Sequence, residues 1–369
     1  MKSYVIAEFG APLELLEHPT FKPTGTEVLL RVTAAGVCHS DIHMWEGYFD
    51  MGGGKKMLQK DRGLKLPHTP GHEIVGEVVA LGPEASGEAA GLAPGRQYLA
   101  YPWIGCGHCP MCEAGNENIC PTPCFLGVHR PGGYADYVLV PHPRYLIDVT
   151  DIPMEEAAPY ACSGVTTYSA LRKIGPLMSK QAVVLVGAGG LGLMALSLHR
   201  AMGGKAAVVV DVDPAKRDAA LVAGAVAAID GAAPDVVAQI HAAGGGPVAA
   251  VVDLVGSGAT VEMAINCVAK GGKVIVVGLF GGQVTISTPL FPQRALTVQG
   301  SYVGNLQELR DLLALVREGR VAPIPFTQRP LSEAGNALLD LREGKVLGRA
   351  VLTAKPAPGG PRAPLLQSF

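Results

Sequence analysis

Cys106, Cys109, Cys112 and Cys120 fall in the segment CGHCPMCEAGNENIC with the spacing CxxCxxCx7C. Four thiolates so close along a chain can converge tetrahedrally on one zinc ion and fill every coordination position, which makes a structural staple and leaves no place for substrate. His108 lies inside the loop and could stand in for a sulfur, but four sulfurs suffice. The segment carries no Lys or Arg, so it does not read as a nucleic-acid ribbon. A second concentration of reactive types is GVCHSDIH, residues 36–43, with Cys38, His39, Ser40, Asp41 and His43. Cys38 and Cys162, the latter in YACSGVTTYSAL, need a third ligand to hold a second metal, and TPGHEIVGEVV supplies His72 followed by Glu73. Two thiolates and an imidazole would leave a fourth position open for chemistry. Taken singly these residues have ordinary explanations, a buried Cys being a small hydrophobe and a lone His a packing residue. Cys124 and Cys267 read as spare thiols.

VVLVGAGGLG places GxGxxG at Gly187, Gly189 and Gly192, after a β-branched run and before the helical run LMALSLHRAM. Gly187 allows the tight turn, Gly189 the approach of a pyrophosphate to the backbone, and Gly192 close helix packing, with Gly190 and Leu191 between them at the anion-binding helix N-terminus. The next strand ends at Asp211, 19 residues after Gly192, where a carboxylate can accept from both ribose hydroxyls. Asp211 favours NAD over NADP, because a 2′-phosphate would meet its charge. FAD usually claims this fold at the start of a chain, and here the motif is in mid-chain.

The elements that position these residues fall into two textures. Residues 1 to about 160 hold short β-type runs broken by Gly and Pro, among them EVLLRVTAAGV, IVGEVVALG and YADYVLV. From about 180, strand and helix alternate through AVVLVG, AAVVVDVD, VAAID, VAAVVDLVG and KVIVVG, the pattern of a doubly wound parallel (Rossmann) sheet. NLQELRDLLALVREGR reads as an amphipathic helix, and ALLDLREGKVLGRAVL as a helix leading to a strand that returns to the first domain. A 369-residue chain is expected to split into two domains. The connection 82–95 reads as surface, and the Pro-rich end KPAPGGPRAPLLQSF as loose or as a strap. Charge is balanced, 30 Lys+Arg against 32 Asp+Glu, with no basic run to track a phosphate backbone, so the partner is a small molecule and not nucleic acid. The apolar stretch at 181–204 mixes strand and helix periods around a glycine cluster and is not a membrane span. MKSYVIAEFG lacks the features of a signal peptide, so the expected location is the cytoplasm, where eight cysteines serve metal or catalysis.

GVCHSDIH, GHEIVGEV, the four-cysteine lobe, ACSGVTTYSAL, VGAGGLG and SYVGN occur in the order and spacing of one family across essentially the whole chain, which resembles the zinc-dependent medium-chain alcohol dehydrogenases. The resemblance implies a GroES-like β-barrel catalytic domain, 1–160 plus 303–369 with a structural-zinc lobe at about 102–125, and a Rossmann NAD-binding domain at 161–302. It implies two zinc ions per subunit, the catalytic one held by Cys38, His72 and Cys162 with Glu73 as second-shell or exchange ligand. It also implies that Asp41 orients His72, that His39 and Arg349 approach the cofactor pyrophosphate, and that Thr166 packs beside the nicotinamide. Ser40, the nicotinamide ribose and His43 would carry the proton outward. The implied activity is reversible hydride transfer between a primary or secondary alcohol and NAD. A zinc polyol or amino-alcohol dehydrogenase is the alternative enzyme, and a catalytically silent NAD-binding or zinc-ribbon protein the alternative class, disfavoured by the intact Cys–His–Cys set. The short run after Cys120 resembles the family's homotetramers.

One departure stands out. The stretch between His43 and His72 is longer than the family pattern, and the extra residues, about 46–70, suit a lid or rim over the substrate cleft, or equally a surface excursion or subunit contact. Trp45, Tyr48 and Trp103 are candidates for the walls of a substrate pocket.

Overall fold

A computed structural model of the protein describes residues 1–85 and 91–354. The Pro-rich end and the middle of the 82–95 connection lie outside the described residues.

Five strands of the amino-terminal half and two from the carboxy-terminal end build a seven-stranded sheet around Val28–Val37, a ten-residue strand whose sequence VLLRVTAAGV is buried at eight positions. Such burial on both faces explains why its apolar run is nearly continuous instead of alternating. On one side it pairs antiparallel with Glu73–Leu81, followed outward by Gln97–Ala100 and Leu146–Asp148. On the other side two partners share its length: Tyr137–Val140 covers residues 28–31, and Arg349–Thr353 covers residues 34–37. Phe326–Pro330 then extends the sheet, parallel to Arg349–Thr353. The helix-then-strand reading of the carboxy-terminal region holds as Ala334–Arg342 and Arg349–Thr353.

Register decides what meets at the end of this sheet. Gly36 lies opposite Glu73 and Val37 opposite Ala350, so Cys38, Glu73 and Arg349 are brought together by backbone pairing alone. A Cβ on Gly36 would sit 1.9 Å from Glu73 Oε2, so only glycine leaves room for that carboxylate. The chain then turns into the helix His39–Glu46. Cys38 is its extended N-cap residue, and Asp41 in the first turn accepts from the Cys38 amide at 2.9 Å, closing the helix start.

The second unit is a six-stranded parallel sheet in the order Ala227–Asp230, Ala206–Asp211, Ala182–Val186, Val248–Asp253, Val268–Val276, Thr297–Gly300. In chain order this is 3-2-1-4-5-6, the doubly wound arrangement whose ligand crevice opens where the winding reverses, between Ala182–Val186 and Val248–Asp253. The glycine motif stands at the carboxyl end of Ala182–Val186, and Gly190–Ala201 is the helix that follows. The predicted amphipathic helix is Leu306–Arg317, opened by Asn305, whose side chain accepts from the Glu308 amide at 2.8 Å. That reciprocal cap contributes about 1 kcal/mol. Among the described residues no helix is long and apolar enough to cross a membrane.

The residues beyond His43 form a hairpin, Tyr48–Asp50 with Lys56–Leu58, and a short 3₁₀ turn, Gln59–Arg62. The hairpin tip reaches the other unit: Cβ atoms on Gly52 or Gly281 would collide with Gly282 and Asp50 respectively. It therefore bridges the cleft between the two sheets.

Candidate active site

Cys38, His72, Glu73 and Cys162 converge in the buried space where the first sheet meets the helix Ser163–Ile174, each offering one ligand atom within 4.8 Å of the others. The Cys38 and Cys162 sulfurs lie 3.8 Å apart and are not bonded to each other. The hydrogen bond from Cys162 and the nearby His72 hold Cys38 well below the ordinary thiol range, while the same bond and burial drive Cys162 well above it. His72 Nε2 and Glu73 Oε2 are buried with no hydrogen-bond partner among the described residues. An unpaired polar atom of that kind costs about 1–3 kcal/mol unless something else satisfies it. Two sulfurs and an aimed imidazole nitrogen are a donor set suited to zinc, so these residues fit such an ion.

Asp41 organises the cluster. Its carboxylate accepts from the Cys38 and Gly71 amides, from the Tyr134 hydroxyl at 3.1 Å and from His72 Nδ1 at 3.2 Å. Four donors on two oxygens fix the carboxylate, and the carboxylate holds the imidazole with Nε2 turned to the sulfurs. Burial pushes His72 down, yet Asp41 and Cys38 together carry it well above the usual histidine range. Glu73 is buried and ion-paired with Arg349, which is itself buried. Burial lifts the Glu73 carboxyl to about 7 against the pull of the Arg349 guanidinium.

Cys106, Cys109, Cys112 and Cys120 form the second cluster, also within 4.8 Å. Cys109 Sγ lies 3.5 Å from Cys112 Sγ and 3.7 Å from Cys120 Sγ. His108 stays outside it, its Nδ1 on the Cys106 carbonyl, and Cys124 donates to the Gly105 carbonyl. Cys267 is buried in the core of the parallel sheet.

At the glycine turn, a Cβ on Gly192 would lie 1.9 Å from the Gly187 carbonyl oxygen, which accounts for the third glycine of the motif. Asp211 ends its strand with one carboxylate oxygen on the Ala188 amide at 2.7 Å and the other on the Asp213 amide. The stem of Arg349 lies against Gly190, where a Cβ would be 2.5 Å from Cδ. Arg349 therefore joins the metal cluster to the start of the cofactor helix.

With this geometry, residues 24–151 match the alcohol dehydrogenase GroES-like domain and residues 190–318 the zinc-binding dehydrogenase domain. The chain is 39% identical to the NAD-dependent alcohol dehydrogenase of Sulfurisphaera tokodaii over 95% of its own length and 99% of the relative's. It is 38% identical to the enzyme of that name from Saccharolobus solfataricus, with the same coverage. The chain belongs to the zinc-binding alcohol dehydrogenase family. The crystal structure of the alcohol dehydrogenase from Aeropyrum pernix superposes with a TM-score of 0.86 at 32% identity, covering 96% of this chain and 100% of that one.

Several features of this alcohol dehydrogenase lie outside what motif reading provides. Trp103 does face the site, its ring 5.2 Å from the His72 ring. Trp45 and Tyr48 do not form that wall: Trp45 is buried under Arg342 with its indole N–H on the Ala11 carbonyl, and Tyr48 stacks under Lys56 in the hairpin. The other walls are Phe125 and Tyr302, 5.3 Å and 6.4 Å from Trp103. Tyr302 is held by Asn118, whose side-chain N–H donates to its carbonyl, and by Val303, a β-branched residue at φ 40°. SYVGN marks this segment in the sequence without revealing which side chain it presents.

Thr166 is buried with its hydroxyl unpartnered among the described residues. His39 is exposed, while Ser40 and His43 are half-buried, with the His43 ring 4.8 Å from that of Phe49. Glu117, not singled out by any motif, ties the cysteine lobe to the barrel. It accepts from the Gly105 amide at 3.0 Å, the Tyr145 hydroxyl at 2.6 Å and Arg144 at 2.8 Å.

Proposed function

We propose that this dehydrogenase interconverts a primary or secondary alcohol with its aldehyde or ketone, using NAD and two zinc ions per subunit. The observation that carries the reading is the meeting of Cys38, His72 and Cys162, remote in sequence, beside an aromatic wall and next to the glycine turn. Cys38, His72 and Cys162 are the residues to hold the catalytic zinc, with Glu73 as the exchange or second-shell carboxylate. Cys106, Cys109, Cys112 and Cys120 are the set for the structural zinc. When bound, the zinc supplies a Lewis acid that makes a substrate hydroxyl more acidic, and NAD supplies a hydride acceptor.

The chain's own groups do the rest. Asp41 fixes the His72 tautomer, and Trp103 keeps water from the reacting face. Ser40 passes the substrate proton toward His43. Burial holds His43 below the usual histidine range, so it is neutral near pH 7 and free to accept. Gly187, Gly189, Gly190, Leu191 and Gly192 form the pyrophosphate cradle, with His39 beside it, Thr166 at the nicotinamide and Asp211 at the ribose. Arg349 both borders the cradle and neutralises Glu73. The division into 1–160 with 303–369 and 161–302 belongs to this reading, supported by the return of Arg349–Thr353 to the first sheet.

Cys162→Ala tests the site. The variant should lose turnover and one zinc per subunit while still binding NADH, and unchanged activity would remove Cys162 from the centre. A cytoplasmic location belongs to this reading, because cysteines clustered as metal ligands suit a reducing compartment. The homotetramer is supported by the short run after Cys120, and sedimentation velocity tests it.

A further inference from the structure

A cavity of about 400 Å³ opens on the outer side of the aromatic wall, lined among others by Arg62, Asn118, Ile119, Phe125, His129 and Tyr302. Phe125 and Tyr302, which line this cavity, pack against Trp103, whose ring meets the His72 imidazole, so these rings stand between the cavity and the metal centre. Its described lining contains the Arg62 guanidinium, the His129 imidazole and no carboxylate.

Arg62 comes from the extra segment beyond His43, and its placement is built in. Gln59, itself buried, donates its side-chain N–H to the His43 carbonyl at 3.4 Å and its amide to the Gly47 carbonyl at 2.8 Å, docking the 3₁₀ turn onto the catalytic helix. Gln59 Oε1 then accepts from Arg62 at 3.3 Å, and the Arg62 guanidinium lies 5.1 Å from the centroid of the Phe49 ring. Arg62 has no ion-pair partner among the described residues, in contrast to Arg31, Arg144 and Arg172. Its positive charge is felt at the Tyr302 phenol and the His129 imidazole, both of which face the same cavity.

We propose that Arg62 makes this protein select alcohols and carbonyl compounds that carry a carboxylate at the end remote from the reacting carbon. The inference rests on the alcohol dehydrogenase reading and names its substrate class. An apolar chain spans the Trp103, Phe125 and Tyr302 wall, and the carboxylate meets a guanidinium that has no ion-pair partner among the described residues and whose planar fork suits charge-assisted hydrogen bonds. His129 adds a second donor on the same rim.

The test compares kcat/KM of the zinc- and NAD-loaded protein for ω-hydroxyalkanoates, from 4-hydroxybutanoate to 8-hydroxyoctanoate, with the 1-alkanol of equal length. The acid-to-alkanol ratio should peak at one chain length. It should fall about fivefold or more in Arg62→Gln, mainly through KM, and fall with added salt in the wild type. Arg62→Glu should lower it further and raise kcat/KM for 6-amino-1-hexanol, a gain that misfolding does not produce. The Kd of 6-hydroxyhexanoate for the NADH-loaded protein, measured by calorimetry, should rise by the same factor in Arg62→Gln. A ratio that is the same in wild type, Arg62→Gln and Arg62→Glu at every length overturns the inference while leaving alcohol oxidation intact. Failure of the wild type to oxidise any alkanol or hydroxyacid overturns the underlying reading instead.

Discussion

Glu73 and Arg349, 276 positions apart in the chain, form an ion pair that solvent does not reach. The pair exists because Val28–Val37 has Glu73 opposite Gly36 on one side and Ala350 opposite Val37 on the other. Removing one partner leaves a buried charge without compensation, which costs about 3–5 kcal/mol. Arg349→Met should therefore unfold at markedly lower urea than wild type. Glu73→Gln/Arg349→Met should recover part of the loss, so the double-mutant cycle reads the coupling directly. Additive effects would show that the two groups do not act as a pair.

Asp41 offers a graded experiment. Asp41→Asn keeps the shape but replaces one acceptor with a donor, against four donors now converging on it. Zinc affinity at the Cys38–His72–Cys162 centre and turnover should drop about 10–100-fold. Tyr134→Phe removes a single donor and should cost about 1 kcal/mol in stability with a smaller change in metal content. Competition with a chelator reports both, and equal affinity in Asp41→Asn and wild type would contradict the role assigned to it.

His43 is held below the ordinary histidine value chiefly by burial, with His39 adding repulsion. Its neutral, proton-accepting form therefore predominates from slightly acidic pH upward. His43→Gln should slow alcohol oxidation most from slightly acidic to neutral pH, where His43 is neutral and hydroxide is scarce, and the gap should narrow both in stronger acid, where His43 is itself protonated, and toward alkaline pH. Parallel pH–rate profiles for the two proteins would exclude His43 from the proton path.

Glu117 predicts a structural effect far from the catalytic chemistry. Glu117→Ala leaves the Gly105 amide and the Tyr145 hydroxyl without their partner and removes the Arg144 ion pair. A loss of about 3 kcal/mol is expected, together with faster chelator-driven release of zinc from the four-cysteine lobe. Glu117→Gln, which can still accept, should fall between the two.

His199 sets an acid limit on stability. Its ring is buried with neither nitrogen partnered among the described residues, and burial lowers it to about 4. In the unfolded chain it titrates near 6.5, so between these values the unfolded state binds more protons and stability falls as pH drops. His199→Leu, similar in volume, should remove an acid-dependent loss on the order of 2–3 kcal/mol across that window. Urea midpoints measured from pH 7 to pH 4 read the difference, and identical slopes for the two proteins would refute it.

Local sequence determined those parts of the protein whose partners are neighbours in the chain. The four cysteines of the lobe span fifteen positions, and the glycine turn, its strand and its helix are contiguous, so spacing alone expressed their geometry. The alternation of β-branched and helical runs likewise dictated a parallel sheet, because a strand and its crossover helix form one local unit. Tertiary structure decided what depends on register and docking. Asp41, Gly71, His72 and Tyr134 meet only because separate strands pair in one alignment, and a one-residue slip would turn Glu73 away from Arg349. Trp45, Tyr48 and Trp103 look alike as aromatic residues near a reactive loop, yet only Trp103 reaches His72, since side-chain direction follows from packing and not from proximity in sequence. The same reason kept Arg62 and Glu117 out of sight: each acts through residues brought to it by the fold.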